Sequence, residues 1–230
     1  MSSTRKVAIT TGVLFIIATV ASLVGAALLP SLNGADYLTG VAAHENQATA
    51  SALAYLIAAF TSVGIAISLY PLTRRSAAGL AIGSVVFRTL EATMYLVGVV
   101  SLLSLLTVSQ HFATAGAASR TSFQAIGDTL VGVRDTSSVL GVFAFSVGAF
   151  MYYFVFFRSR LIPRWLSGWG IVGTLLMLVA CVLALVSGNP ITSYVPLAAP
   201  IGVQEIVFAV WLLVKGFNRV DSDDGASIVL

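Results

Sequence analysis

Three ionisable residues, Arg88, Glu91 and Glu205, lie inside long apolar stretches of this chain. An ionised side chain at the centre of a bilayer costs roughly 3 kcal/mol on insertion scales, so such residues need partners or a role. Ser84, Arg88, Glu91 and Tyr95 follow at steps of four, three and four residues, which places them on one stripe of a helix. We expect this stripe to face the bundle interior or a water-filled cavity, because lipid cannot satisfy it.

The three charges are expected at matching depths in the membrane. Arg88 is nine residues after Gly79, about 13 Å along a helix. Glu205 is ten residues before Lys215, about 15 Å by the same rise. Gly79 and Lys215 mark the same membrane boundary, so helices three and six should face each other through the cluster near the midplane.

One arginine cannot fully balance two carboxylates, so one glutamate is expected to hold a proton at neutral pH. We expect Glu91, which shares the helical face of Arg88, to be the ion-pair partner and Glu205 to be the protonated acid. Gln204, beside Glu205, completes the candidate cluster. Together the candidate binding or ion-pair residues are Ser84, Arg88, Glu91, Tyr95, Gln204 and Glu205.

Two functions remain open for this cluster. It can be a ligand or proton site, which predicts a protein that binds or transports a small molecule or a lipid. Alternatively, the charges only pin helices together in a structural or partner-stabilising subunit. The first function requires a water-accessible cavity that reaches the glutamates, and the second requires dry packing around them.

The sequence lacks the residue combinations that metal binding and enzymatic catalysis require. His44 and His111 lie in different predicted loops, without a second ligand at metal-binding spacing. The single cysteine, Cys181, lies in an apolar run, and no catalytic Ser-His-Asp set or glycine-rich phosphate loop stands out. We therefore expect no metal and no cofactor, and enzyme activity is the weaker hypothesis.

The composition is that of a membrane protein. Of the 230 residues, 58% are hydrophobic and 9% are charged, against about 25% charged in soluble domains. The net charge of +3 is modest, and its basic residues occupy short loops rather than a patch, which argues against nucleic acid. The expected partners are membrane lipids and a small-molecule ligand, and the oligomeric state stays open.

Apolar stretches of about 20 residues are long enough to cross a ~30 Å hydrocarbon core. They predict an all-α polytopic membrane helix bundle with six transmembrane helices in one domain, residues 1–217, followed by a short polar tail, residues 218–230. The predicted spans are residues 7–29, 50–70, 79–108, 136–157, 165–187 and 200–214.

Three segments of the sequence allow further predictions. The first span has the basic start and small residues of a cleaved signal peptide, although it is long for one. The second should end at Pro71, and it bears a mildly polar face that includes Tyr55 and Ser62. Residues 123–133 are amphipathic, so they form either a surface helix between the third and fourth spans or an extension of the fourth.

The distribution of basic residues predicts the orientation. One side would carry Arg5, Lys6, Arg74, Arg75, Arg158, Arg160, Arg164, Lys215 and Arg219, and the other only Arg120 and Arg134. Because cytoplasmic loops are enriched in Lys and Arg, both termini are expected in the cytoplasm.

The basic turn between the fourth and fifth spans also has two interpretations. It can serve only as a topological signal. It can also bind anionic lipid headgroups if its arginines converge with the two tryptophans that follow. The candidate headgroup residues are Arg158, Arg160, Arg164, Trp165 and Trp169.

Several segments together resemble a known family. They are residues 68–71 (SLYP), the pair Arg88 and Glu91, residues 152–153 (YY), residues 158–170 (RSRLIPRWLSGWG), and Glu205 with residues 211–218 (WLLVKGFN). With these segments the chain resembles the bacterial membrane-protein family known as domain of unknown function 4386, over nearly its whole length. The resemblance implies a bacterial multipass protein of the cytoplasmic (inner) membrane, and it implies no activity, ligand or catalytic residue.

Overall fold

The computed structural model describes residues 3–218, and within them the protein is an all-helical bundle. A short 3₁₀ turn, Ile191–Tyr194, precedes the last helix, and no strand occurs in the described range. The α-helices are α1 (Ser3–Leu28), α2 (Tyr37–Ala43), α3 (Glu45–Thr73), α4 (Ala78–Thr114), α5 (Ala117–Ser159), α6 (Arg164–Ser187) and α7 (Val195–Val214).

Six of these elements are long and apolar enough to cross a membrane, and α2 is not one of them. The exterior of the bundle is apolar: Phe60, Val100 and Val186 are 66%, 65% and 83% exposed. Large exposed apolar side chains over the whole outside of a bundle are what a lipid environment requires. The predicted polytopic bundle with six spans is therefore confirmed.

The six spans form a closed ring. Each packs against two neighbours, in the order α1, α3, α4, α5, α6, α7 and back to α1. Interhelical hydrogen bonds support the ring, for example between the Thr11 and Ser68 hydroxyls at 2.7 Å and from Ser51 Oγ to Gly25 O at 2.6 Å. A ring of this kind encloses an interior away from lipid, where polar groups can lie.

Two helices extend well beyond the membrane. The 37 residues of α4 and the 43 of α5 give lengths of about 55 and 65 Å, against a hydrocarbon core of ~30 Å. Residues 123–133 belong to α5, so they form the predicted extension, and the separate surface helix is wrong. The segment continues α5 and docks on protein through part of its apolar face: Leu130 packs against α2 and α4, while Ile126 and Val133 remain 49% and 43% exposed.

The short helix α2 docks onto this extension. Leu38 is fully buried beside Leu105 of α4, and Tyr37 Oη donates a hydrogen bond of 2.8 Å to Asp128 of α5. Burial and the Asp128 carboxylate both raise the pKa of the Tyr37 hydroxyl above its ordinary value. Gly127 permits the close approach, since a Cβ there would lie 2.5 Å from Tyr37 Oη.

Two predicted boundaries at proline are wrong by a few residues. Helix α3 continues through Pro71 to Thr73, because a proline in the last turn removes a single helical hydrogen bond. Helix α7 begins at Val195, since Pro196 fits the first turn of a helix, and Pro200 lies inside it.

The two ends of the described chain meet at one end of the bundle. The Arg5 guanidinium donates hydrogen bonds to the carbonyls of Leu212 (3.3 Å) and Leu213 (2.7 Å) at the end of α7. The Asn218 side chain donates to Arg160 O at 2.8 Å. Arg219 and the predicted tail after residue 218 lie outside the described residues. We call this end, which also carries Arg158 and Arg160, the basic end.

Candidate functional site

A cavity of about 300 Å³ lies inside the ring, and all six spans contribute to its wall. It contains most of the charged stripe predicted from the sequence. The polar residues of the wall are Thr19, Ser22, Ser62, Arg88, Glu91, Tyr95 and Glu205.

Arg88 and Glu91 form an ion pair on one side of the cavity. Both are buried, at 2% and 3% exposure, and Arg88 Nη1 lies 3.1 Å from Glu91 Oε2. Ser62 of α3 donates a hydrogen bond of 2.7 Å to the same oxygen. The Arg88 guanidinium also lies over the Phe145 ring, 4.9 Å from its centroid. The predicted pairing of Arg88 with Glu91 is therefore present.

Glu205 projects from α7 into the same cavity without a comparable partner. Among the described residues no cation lies within 4.0 Å of its carboxylate, and its Oε1 is buried without a hydrogen-bond partner. Helices α4 and α7 make no extensive contact. The third and sixth spans thus face each other as predicted, but across a cavity rather than through an ion pair.

The other three candidates from the sequence divide between wall and packing. Tyr95 lines the cavity beside Tyr55, at 6.5 Å between ring centroids. Ser84 is buried against α5 at Gly148 and is not part of the wall. Gln204 accepts a hydrogen bond from Tyr153 Oη (2.7 Å) and donates one to Leu166 O (3.1 Å), so it joins α5, α6 and α7 away from the cavity.

Several residues of the cavity wall were not predicted from the sequence. Phe15, Phe145 and Met177 line the cavity, but nothing distinguishes them in sequence from the apolar residues that face lipid. Ser62 had a signal, since it lies on the polar face predicted for the second span.

Aromatic side chains fill the interior between the cavity and the basic end. We call Phe15, Tyr152, Tyr153, Phe156 and Phe208 the aromatic floor. All five are at most 1% exposed, and their contacting ring centroids are 4.5 to 6.4 Å apart. Within the floor, Tyr152 Oη is buried without a hydrogen-bond partner. From the floor the cavity extends away from the basic end, to Leu23 near the end of α1 and Ala198 near the start of α7.

The basic turn lies on the surface, remote from the cavity. Arg158 and Arg160 are exposed, and the Arg164 guanidinium lies 5.4 Å from the centroid of the Phe157 ring. Trp165 is 56% exposed and makes an edge contact with Trp211, at 6.3 Å between centroids, while Trp169 is half-buried. Headgroup binding at this turn stays a prediction.

Within residues 3–218 no three His, Cys, Asp or Glu side chains come together as metal ligands would. A ring of six apolar helices around a charged cavity defines a multipass membrane protein. Residues 10–216 match the model of the family described as a domain of unknown function, DUF4386, so the chain belongs to that family. The resemblance seen in the sequence is confirmed. Neither a curated protein nor a solved structure matches the chain.

Proposed function

We propose that the protein binds a small molecule within the membrane, in the cavity between α4 and α7, and transports it. The observation that carries this proposal is the cavity of about 300 Å³ that reaches Arg88, Glu91 and Glu205. Charges that served only to pack helices would be enclosed in a dry interior.

The ion pair is better explained by a ligand site than by a role in holding helices together. Arg88 and Glu91 are three residues apart on α4, so their attraction does not hold two helices together. The hydrogen bond from Ser62 to Glu91 does link α3 to α4, but Glu205 of α7 is bonded to neither of these two residues. A structural subunit would explain the pair and leave a buried carboxylate of α7 without purpose.

The size and lining of the cavity favour a small molecule over a lipid. Ligand sites have volumes of about 300–1,000 Å³ and are mostly apolar, with a few polar groups that fix orientation. This cavity lies at the lower end of that range, and Phe15, Ile65 and Met177 supply apolar wall. A diacyl lipid has far more apolar chain than such a space admits. Because α1 carries part of the wall, the proposed site requires the first span to stay uncleaved.

Transport is consistent with an interior that is closed towards the basic end but continues towards the opposite face. The aromatic floor separates the cavity from the basic end, while the wall continues towards the other face at Leu23, Ala58 and Ala198. With the basic end in the cytoplasm of a bacterium, this arrangement is a state closed towards the cytoplasm. Release on that side would require the contact between Tyr153 and Phe208 in the floor to separate.

Accessibility of single cysteines tests the proposal. In a Cys181→Ala background, Ser22→Cys places a thiol on the cavity wall, and Ser84→Cys places one in dry packing. We expect 2-aminoethyl methanethiosulfonate to modify the first and to spare the second in the folded protein. Protection of both thiols would mean that water does not enter the cavity and would favour the structural subunit.

A further inference from the structure

Glu205 is the unbalanced charge of the cavity. Arg88 and Glu91 neutralise each other at 3.1 Å, and Ser62 gives Glu91 a further hydrogen bond. The buried Oε1 of Glu205 lacks any partner in the described chain. We propose that the site takes an organic ammonium with an apolar body, bound by Glu205 in exchange for a proton. This inference rests on the proposed small-molecule function and names its ligand class.

The polar wall near Glu205 suits an ammonium group. A primary ammonium has three N–H donors and no acceptor, so it needs several oxygen atoms around it. Glu205 offers a carboxylate, and Thr19 and Ser22 of the neighbouring helix α1 offer hydroxyl oxygens on the same wall. The apolar body would lie against Phe15 and Met177.

Other ligand classes fit this wall less well. An anion could accept hydrogen bonds from Arg88 Nε and Nη1, which lack such partners in the described chain. It would, however, meet the carboxylate of Glu205, and the charge of Arg88 is already balanced by Glu91. A neutral apolar molecule would leave the buried oxygen of Glu205 without a partner, which carries a desolvation cost. An ammonium satisfies that oxygen and cancels the charge.

A proton must balance Glu205 when no ligand is bound, because a lone carboxylate at membrane depth is costly. The ionisable groups that interact with it are Arg88, Glu91 and Tyr95 from α4 and Tyr152 and Tyr153 from α5. The wall residues of α1, α3 and α6 are not ionisable. On binding, the O–H bond of the Glu205 carboxyl breaks, the ammonium pairs with the resulting carboxylate, and the proton leaves to water. The ammonium thus takes the place of the proton on Glu205, so the net charge of the site does not change.

Binding calorimetry on the full-length protein in dodecyl maltoside tests the ligand class. The probes are 2-phenylethylamine, hexylamine and cyclohexylamine, each paired with the alcohol of the same carbon skeleton. An ion-assisted hydrogen bond corresponds to about tenfold to a hundredfold in affinity, so we expect at least one amine to bind more tightly than its alcohol by that factor. Titrations in buffers of different ionisation enthalpy should show proton release with the amine and none with the alcohol.

Variants assign the effect to Glu205. Glu205→Gln should lower amine affinity to the level of the alcohol, and Glu205→Asp should retain part of the preference. Glu45→Gln removes an equal charge at an exposed position and should change nothing. A melting curve of each variant checks that it is folded. Added phosphatidylethanolamine should not compete, because its acyl chains exceed the cavity. Competition would place a lipid amine in the site and contradict the small-molecule assignment.

Two results would distinguish failure of the ammonium site from failure of the proposed small-molecule function. If the thiol at Ser22→Cys is modified but every amine binds like its alcohol, the ammonium site is wrong and a small-molecule cavity stands. The same holds if Glu205→Gln, still folded, keeps the amine preference. If that thiol is protected, the cavity is dry and both proposals fail.

Discussion

Arg88 is the only cation on the cavity wall, and its surroundings decide how each neighbouring charge can be neutralised. It is 2% exposed, paired with Glu91 at 3.1 Å and stacked on the Phe145 ring. Removing one partner of a buried pair costs about 3–5 kcal/mol, because the remaining charge is left uncompensated. The residues of the cluster should therefore differ in their importance for stability.

We expect Arg88→Leu to be the most destabilising of three single variants in detergent melting experiments, by about 3–5 kcal/mol. Glu91→Gln should cost less than that, because Glu205 on the same cavity wall can then ionise and balance the guanidinium. Glu205→Gln should melt close to the wild type, since Glu205 takes part in neither ion pair of the described chain.

A double variant provides the control for this series. Arg88→Leu combined with Glu91→Gln removes both charges, so it should be more stable than Arg88→Leu alone. If all three single variants melted like the wild type, the cluster would be solvated rather than buried, contrary to the exposures of 2% and 3%.

At the scale of single helices, the docking of α2 on α5 depends on a missing side chain. A Cβ at Gly127 would lie 2.5 Å from Tyr37 Oη and 2.9 Å from Leu38 Cδ2. Gly127→Val should therefore displace α2 and break the hydrogen bond from Tyr37 to Asp128. The expected result is faster hydrogen–deuterium exchange across Tyr37–Ala43, with the transmembrane spans unchanged.

Gly132 of the same helix is the matched control, because nothing lies within 4 Å of a Cβ built there. Gly132→Val makes the same chemical change and should leave exchange in α2 as in the wild type. Equal exchange in the two variants would show that α2 does not dock on this part of α5.

For the whole molecule, the ring of six spans places Arg5 beside Leu213 and therefore both ends of the described chain at one face. The bias of basic residues predicts that this face is cytoplasmic. In a Cys181→Ala background, cysteines at the exposed positions Arg74 and Arg158 should be protected from an impermeant maleimide in intact cells. Cysteines at Glu45 and Arg120 should be labelled.

Permeabilised cells control for access to each thiol, since all four positions are exposed and should then react. Labelling of position 74 or 158 from outside intact cells would invert the orientation. It would also turn the proposed closed side of the cavity towards the exterior.

The sequence alone determined the six spans and the family, and it predicts the depth of Arg88, Glu91 and Glu205 in the membrane. Spans follow from the length of apolar stretches, and depth follows from the rise of a helix, so both are local properties. The pairing of Arg88 with Glu91 was also predictable, because residues three apart on a helix are neighbours.

The tertiary structure alone decided which residues share the cavity. Lipid is as apolar as a leucine-rich interior, so apolar periodicity does not tell which face of a span points inwards. Gln204 therefore turned out to join α5, α6 and α7, while Ser62, Phe15 and Glu205 line the cavity. The amphipathic pattern of residues 123–133 was equally uninformative, because a helix docked on protein and a helix lying on lipid both need one apolar face. Only the arrangement of the helices around the ring distinguishes these cases.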